Sequence, residues 1–352
     1  MALKPLVMAL AAGLLAAAPA RALPAKPLPI RVVVVTAFEV GADTGDQPGE
    51  FQAWAAHLPQ RIAAPALPRN LRYDPATGVL AISIGEGTGH AAASIMALGE
   101  DRRFDLTHAY WLVAAIAGVN PHAASIGSAA WIGDIIDTDF SYYIDPREIP
   151  ADWTTGFVPM NRARPYAQPL PDSSDNLFAL DKGLRDWAYA LTRHVALPDN
   201  ADLAAERAPY VGEPAALLPP HVLVGAEASG QAFWLGEVMN RETEKWTAYW
   251  TGGQDRFVMT AMEDTGVARA LAMLGREGRV DPRRLLVLRT ASDYSTPPAG
   301  MAPAALLQKE NRHLPGLQAS LDAAYLVGHV VVDELVRHWS LYADHLPAVP
   351  AP

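Results

Sequence analysis

Two acidic residues, Glu263 and Asp293, stand where predicted strands end. Glu263 follows a predicted strand over 256–261 and opens a predicted helix over 263–274, whereas Asp293 follows the apolar strand 285–290. A strand–helix–strand crossover joins parallel strands, so both acids are expected at one carboxyl edge of the sheet, where open α/β sheets bind ligands. The spacing favours a crevice for a polar ligand. A charge at a helix N-terminus and a turn residue are the alternative interpretations.

The composition excludes several other kinds of chemistry. The chain of 352 residues has no cysteine, which excludes a thiol nucleophile, a disulfide framework, an iron–sulfur cluster and a zinc ribbon. Its ten histidines form no HExxH-type pair and no carboxylate loop resembles a calcium site, so no metal is predicted. The formal net charge of −10 disfavours binding to a nucleic-acid backbone.

A glycine-rich loop, GEGTG at 85–89, lies between a predicted strand and a predicted helix. It lacks both the GxGxxG spacing of dinucleotide sites and the Lys-Ser/Thr ending of nucleoside-triphosphate loops, so neither cofactor is predicted. Two interpretations stay open. The loop is either a turn that lets the helix pack closely or part of a ligand site.

Apolar strands alternating with helices predict the scaffold that must position these residues. The pattern indicates one α/β domain with a mostly parallel, twisted and partly closed central sheet flanked by helices. The segment 142–220 is rich in proline and aromatic residues and is predicted to be an elaborated insertion rather than a separate domain. The predicted strands are 31–36, 79–84, 110–117, 131–137, 221–225, 256–261 and 285–290, and the predicted helices are 90–98, 177–195, 263–274 and 317–341.

The first 22 residues have the pattern of a secretory signal peptide. Lys4 precedes an almost wholly apolar stretch, residues 5–20, and Ala20-Arg21-Ala22 places small residues where a signal peptidase cuts. Cleavage after Ala22 leaves residues 23–352, which contain no other apolar run of membrane length. The protein is therefore predicted to be exported, to the periplasm, with no membrane span after cleavage. An uncleaved membrane anchor is the alternative.

Five sequence strings carry a resemblance to a known family. They are SIGEGTGHAAASI, IAGVNPHAASIGSAAWIGDII, SGQAFW, VMTAMEDTGVARAL and VLRTASDYSTPP. Their order resembles that of the purine nucleoside phosphorylase and nucleosidase superfamily, with the Met262-Glu263 and Ser292-Asp293 pairs as the specific signals. Within that superfamily the chain looks most like the purine nucleoside permease family. The resemblance implies a single phosphorylase/nucleosidase-like domain.

The resemblance also implies a purine nucleoside site. Glu263 would accept hydrogen bonds from ribose hydroxyls, for which an acceptor-only carboxylate is suited, and Met262 would pack beneath the sugar. Asp293, preceded by Ser292, would hydrogen-bond or protonate the purine at N7. Protonation makes the base a better leaving group as positive charge develops on the sugar.

Three further residues match ligand-binding positions of the superfamily. Phe233 matches the aromatic residue that stacks on the base, and the backbone of Trp234 would then lie near the edge of the purine. Gly118 matches a glycine of the site. Core packing is the alternative interpretation for Phe233.

The phosphate-binding pattern of the phosphorylases is not matched. They hold phosphate with arginines, one of them two residues before the glycine matched by Gly118, and Ile116 occupies that position here. The loop after the strand 31–36 also has no arginine. Nucleosidases place a glutamate after the first strand to position or deprotonate water. Glu39 and Glu50 are the candidates, and we favour Glu39 as the catalytic residue because it directly follows the strand.

These observations predict an exported enzyme that hydrolyses purine nucleosides to free base and ribose. One alternative is a phosphorolytic enzyme that uses phosphate as co-substrate and takes its arginines from another loop or a neighbouring subunit. The other is a periplasmic component that binds nucleosides and passes them to a transporter. No cofactor is predicted, the expected partner is a small-molecule nucleoside, and the resemblance makes a homo-oligomer plausible.

Overall fold

The computed structural model describes residues 26–170 and 175–349. The predicted signal peptide, residues 1–22, lies outside this part of the chain. The strands in the described residues are β1 (Leu28–Pro29), β2 (Val32–Thr36), β3 (Gln60–Ile62), β4 (Leu71–Asp74), β5 (Val79–Ser83), β6 (Phe104–Asp105), β7 (Tyr110–Val119), β8 (Ala129–Asp137), β9 (Ser141–Tyr143), β10 (Phe157–Pro159), β11 (Leu177–Ala179), β12 (Val222–Ser229), β13 (Phe257–Ala261) and β14 (Leu285–Tyr294).

The helices cover both faces of the sheet. They are α1 (Gln52–Ala55), α2 (Thr88–Gly99), α3 (Lys182–Thr192), α4 (Ala201–Arg207), α5 (Glu237–Thr251), α6 (Asp264–Arg276), α7 (Pro303–Glu310), α8 (Leu317–Arg337) and α9 (Trp339–Tyr342), together with a 3₁₀ turn at Pro282–Arg284. Within the described ranges, none of these helices is both long enough and apolar enough to cross a membrane.

Ten strands form one mixed sheet, part of which closes into a barrel. The order is β11-β8-β12-β13-β7-β2-β5-β4-β3, and β14 pairs with both β7 and β8. The strands β8, β12, β13, β7 and β14 therefore form a closed ring of five. The α/β prediction holds, but the prediction of a mostly parallel sheet is wrong, because β13 and β7, β14 and β8, and β11 and β8 pair antiparallel.

Burial explains why the sequence did not reveal the antiparallel pairs. Strand β8 is buried along its whole length, as is β14, and β7 is buried except at Ile116. Antiparallel strands often alternate between buried and exposed residues, whereas a strand covered on both faces is apolar throughout. Barrel strands covered outside by helices have the same continuous pattern as strands of a parallel sheet.

Two separate apolar layers flank the sheet. On one side α2 and α6 pack through residues such as Ile95 and Leu271. The other side holds α8 and α3, with Val331 and Trp187 in the core. The segment 142–220 thus contributes α3 to the core, and it also adds β11 to the edge of the main sheet beside β8.

Strand β7 brings the ends of β13 and β14 together at Gly118. Thr260 of β13 pairs with Gly118, and so does Asp293 of β14. Strand β13 runs antiparallel to β7, whereas β14 runs parallel to it. Glu263, which follows β13, and Asp293, near the end of β14, are therefore neighbours, as predicted. Their shared partner β7 brings them together, whereas the sequence analysis expected a parallel crossover to do so.

A β-bulge in β14 turns two consecutive side chains towards the same place. The register against β7 shifts between Ala291 and Asp293, which leaves Ser292 as the extra residue. In a regular strand consecutive side chains point to opposite faces, and a bulge changes the direction of the side chains that follow it. Ser292 and Asp293 can consequently line one cavity.

We predict that Gly118→Ala destabilises the protein. An added Cβ would lie 2.9 Å from Thr260 Cγ2 and 3.0 Å from Asp293 Oδ2, so the half-buried side chain of Thr260 or the buried side chain of Asp293 must move. Overpacking of this kind costs about 1–3 kcal/mol, measurable by urea denaturation. Gly89→Ala is the matched control, because a Cβ there meets nothing within 4 Å. Equal free energies of unfolding for the two variants would contradict the close packing at Gly118.

Candidate active site

A cavity of about 400 Å³ opens where β2, β7, β13 and β14 end. Its wall contains Ala37 and Phe38 after β2, residues 116–118 of β7, residues 260–263 at the end of β13, and Ser292 with Asp293 of β14. The volume lies within the range of small-molecule sites. This cavity is the candidate active site.

Most of the residues that the sequence singled out lie in this wall. Gly118, Phe233, Met262, Glu263, Ser292 and Asp293 all line the cavity. Two predicted residues, Glu39 and Trp234, are not part of the wall. Three charged residues that the sequence analysis did not favour or did not name are part of it: Glu50, Glu86 and Arg289.

Glu263 is held by three hydrogen bonds at the start of α6. Its Oε1 accepts from the backbone N–H of Gly87 at 3.0 Å, and its Oε2 accepts from Met262 N at 3.3 Å and from Arg289 Nη2 at 2.9 Å. An ionised carboxylate has about four acceptor positions. One position on Oε1 is left for a ligand hydroxyl.

Arg289 lies in the middle of β14 and is almost completely buried. Its Nε and Nη2 donate to the two oxygens of Asp264 at 2.8 Å each, and its Nη1 donates to the carbonyl of Ile116 at 2.8 Å. Burial alone would lower the pKa of Arg289, but the carboxylates of Asp264 and Glu263 raise it well above its usual value. The sequence signal for this residue is a charged side chain inside the apolar strand 285–290, which the sequence analysis did not use.

Glu227 completes this buried polar cluster. It is fully buried in β12, and its Oε2 lies 3.7 Å from Arg289 Nε. Burial raises the pKa of Glu227 well above its usual range, and the neighbouring carboxylate of Asp264 raises it further. Burial therefore favours the neutral form of Glu227, and Arg289 pairs with the carboxylates of Asp264 and Glu263.

Asp293 is a buried acid with one oxygen free. Its Oδ1 accepts a hydrogen bond from the hydroxyl of Ser292 at 2.6 Å, whereas its Oδ2 has no partner within the described residues. Burial raises the pKa of Asp293, against the lowering effect of the Ser292 hydroxyl. The free Oδ2 lies over Gly118 and is suited to carry a proton.

Glu50 is the carboxylate that the chain places beside the end of β2. Its Oε2 accepts from Ala37 N at 2.5 Å and its Oε1 accepts from Ile116 N at 2.7 Å. Burial raises the pKa of Glu50 to about 8, although nearby Arg289 lowers it. The side chain thus joins β2 to β7 and lies in the wall of the cavity.

Glu39, which the sequence analysis favoured as the catalytic residue, makes its hydrogen bonds within the loop that follows β2. Its Oε1 accepts from Val40 N at 2.9 Å and from Gly49 N at 2.6 Å, so it holds the loop 40–49 together. That loop folds back until the backbone N–H of Glu50 donates to Phe38 O at 3.1 Å. Because the sequence does not show how the loop returns, Glu39 appeared better placed than Glu50.

The loop between β12 and α5 lies beside the cavity. Phe233 is 53% exposed and lines the cavity, where a planar ligand could stack on its ring. The ring of Trp234 lies instead in a neighbouring cavity, with its centroid 6.2 Å from that of Phe257.

The glycine loop 85–89 packs closely against α6 and also borders the cavity. Gly266 of α6 comes so close that an added Cβ would lie 2.3 Å from Thr88 O, so the start of α2 packs tightly on α6. Glu86 lines the cavity. The backbone N–H of Gly87 is used by Glu263, and that of Gly89 donates to Gln231 Oε1 at 3.4 Å.

Comparison with known proteins identifies the family. The family model described as purine nucleoside permease (NUP) matches residues 29–347. The chain belongs to the purine nucleoside permease family. This confirms the resemblance seen in the five sequence strings.

Two fungal members of the purine nucleoside permease family are similar to this chain. A probable purine nucleoside permease of Schizosaccharomyces pombe is 30% identical over 269 residues, which span 74% of this chain and 76% of that protein. The purine nucleoside permease of Candida albicans is 30% identical over 261 residues, which span 73% of this chain and 64% of that protein.

Solved structures show that this permease-family chain has a nucleosidase-like fold. The 5′-methylthioadenosine/S-adenosylhomocysteine nucleosidase of Neisseria meningitidis superposes with a TM-score of 0.51 at 16% identity, covering 86% of this chain and 99% of that chain. The futalosine hydrolase of Helicobacter pylori gives a TM-score of 0.50 at 13% identity, covering 87% and 98%.

We predict that Glu50 makes stability depend on pH. Because burial raises its pKa from 4.5 to about 8, the folded protein binds a proton that the unfolded chain releases between these values. The contribution of Glu50 to the free energy of unfolding is fully present below pH 4.5. It is lost as the pH rises towards 8, at up to about 1.4 kcal/mol per pH unit. Urea denaturation of the wild type and Glu50→Gln should show a difference in free energy that changes in this sense. A difference that is constant from pH 5 to pH 8 would show that Glu50 is ionised throughout.

Proposed function

We propose that this protein hydrolyses the N-glycosidic bond of purine nucleosides and releases the free base and ribose. The observation that carries the proposal is the presence of Glu50, Glu263 and Asp293 in one cavity, each in a different hydrogen-bonding environment. Two have raised pKa values, and the third is paired with Arg289. Groups in such different environments can divide acid, base and binding roles among themselves.

Asp293 acts as the acid in this proposal. As the bond between C1′ and N9 breaks, its Oδ2 gives a proton to N7 of the purine, and the bond's electrons stay on the base. The burial that raises the pKa of Asp293 favours its protonated form, which is the form that can give this proton. Ser292 holds the other oxygen through its 2.6 Å hydrogen bond and so fixes the orientation of the carboxyl group.

Glu263 binds the sugar. Its acceptor position on Oε1 receives a ribose hydroxyl, and Met262, which also lines the cavity, packs against the sugar. The hydrogen bonds from Gly87, Met262 and Arg289 prevent the carboxylate from rotating. A fixed acceptor orients the ring for attack at C1′.

Glu50 takes a proton from the attacking water. The oxygen of that water forms the new bond to C1′, and the products are ribose and the neutral free base, which carries the proton from Asp293 at N7. A general base is most effective when its pKa lies near the working pH, and the pKa of Glu50 is raised to about 8. Glu50 replaces Glu39 in this role because it is the one that lines the cavity.

The charges of the wall favour water over phosphate as the attacking group. Among the described residues that line the cavity, Arg289 is the one cation, and its hydrogen bonds go to Asp264, Glu263 and Ile116. The acids Glu50, Glu86, Glu263 and Asp293 line the same space. Phosphorolysis would need cations from elsewhere, such as a neighbouring subunit of a homo-oligomer.

A second candidate function is nucleoside binding without chemistry, as part of nucleoside transport. The names of the two fungal relatives favour it, since both are called permeases. Such a protein would use Glu263 and Phe233 in the same way. Both candidate functions include export after cleavage of the signal peptide at Ala22, which only the sequence predicts.

We predict that Asp293→Asn abolishes turnover but preserves nucleoside affinity. An amide cannot protonate N7, so kcat should fall by at least about 100-fold. The dissociation constant for inosine should change by no more than about threefold, because the acid acts mainly as the base departs. Product release measured by chromatography gives the first quantity and calorimetry gives the second.

Asp137→Asn is the matched control. Asp137 is another buried aspartate, paired with Arg269 at 3.1 Å, and it does not line the cavity. The Asp137→Asn variant should keep the kcat of the wild type even if its free energy of unfolding falls. A wild type that binds inosine but releases no base, with Asp293→Asn altering affinity only, would contradict hydrolysis and support the binding function.

A further inference from the structure

A second cavity lies on the other side of the loop that carries Phe233. Phe233 lines the candidate active site, whereas its neighbours Ala232 and Trp234 line this second cavity, of about 150 Å³. The ends of the loop are held by hydrogen bonds from Gln231 N to Asp139 Oδ2 at 2.6 Å and from Gly236 N to Ser295 O at 2.9 Å. The two cavities are therefore separate spaces divided by one short, fixed loop.

Four aromatic residues form much of the wall of the second cavity, which also contains three threonines. Trp234, Trp246, Phe157 and Tyr166 line it, together with Met239. The rings of Tyr166 and Trp246 meet edge to face, with centroids 6.3 Å apart. Aromatic faces attract both planar rings and cations, and a methionine adapts its shape to either.

Two carboxylates line this cavity, and one of them is paired with a lysine that lies outside the lining. Glu242 and Asp139 line it, and no lysine, arginine or histidine does so among the described residues. Glu242 is nearly buried, and it accepts hydrogen bonds from Tyr166 Oη at 2.7 Å and Lys245 Nζ at 2.6 Å. The side chain of Lys245 is half-exposed and lies outside the lining.

We propose that this cavity is a second ligand site, which takes a small organic cation built on a single ring. An engineered protein cavity of about 150 Å³ holds one benzene molecule, so the space here matches one ring. The aromatic walls provide the contact area, and the carboxylates of Glu242 and Asp139 select positive over negative charge. The proposal does not depend on what the first cavity binds.

Three probes of the same shape and different charge test the selectivity. Calorimetric titration with benzylamine should show saturable binding, benzyl alcohol should bind at least tenfold more weakly, and benzoate should not bind at the same concentrations. Equal binding of benzylamine and benzoate, or no binding of any probe, would overturn the proposal.

Two cavity-filling variants test the location. Ala232→Leu fills the second cavity, and Leu314→Phe narrows the first, whose wall contains Leu314. Benzylamine affinity should fall at least tenfold in Ala232→Leu and stay unchanged in Leu314→Phe, with circular dichroism showing that both variants are folded. The opposite result would place the probe in the first cavity and contradict the proposal.

A third variant tests the charge. Glu242→Gln removes the charge but keeps the size of the side chain and its hydrogen bond to Tyr166. The affinity for benzylamine should therefore fall at least tenfold, while the affinity for benzyl alcohol stays the same. A loss of affinity that is the same for both probes would mean that Glu242 only supports the shape of the cavity, and charge selection would then be wrong.

Discussion

Arg289 places a positive charge in the middle of a strand whose side chains are all buried. Removing such a charge from water is unfavourable unless it is paired and hydrogen-bonded, and here Asp264, Glu263 and the carbonyl of Ile116 provide the partners. The guanidinium thereby joins β14, the start of α6 and β7. Glu263 is held directly, and Glu50 is held through the peptide N–H of Ile116. The geometry of the candidate site depends on this one buried cation.

The same burial that makes Arg289 necessary sets the protonation of the acids around it. Asp293 and Glu50 have raised pKa values because they are buried without a directly paired cation, whereas Glu263 receives a hydrogen bond from Arg289. One cavity thus holds two acids whose pKa values are raised by burial and one carboxylate that is paired with Arg289. The permease family name and the nucleosidase-like fold are compatible with this arrangement, because binding a nucleoside and cleaving it use the same contacts to sugar and base.

Local sequence patterns predicted the elements of the fold better than their arrangement. The apolar runs indicated the positions of β2, β5, β7, β8 and β13, since each strand is almost wholly buried and is bounded by glycine or polar residues. Their directions were not predictable, because strands of a covered barrel are apolar on both sides. Glu263 and Asp293 were found because the residues at strand ends are visible in the sequence, and the resemblance gave them roles. Glu50 was ranked below Glu39 because its position depends on how the loop 40–49 folds back, and Arg289 was missed because its partners are distant in sequence.

Product analysis with and without phosphate tests the central claim most directly. The purified protein is incubated with inosine, adenosine or guanosine in phosphate-free buffer and in phosphate buffer, and the sugar and base products are separated. The account predicts free base and free ribose at the same rate in both buffers. Ribose 1-phosphate formed only in the presence of phosphate would contradict it, and so would saturable nucleoside binding with no product in either buffer.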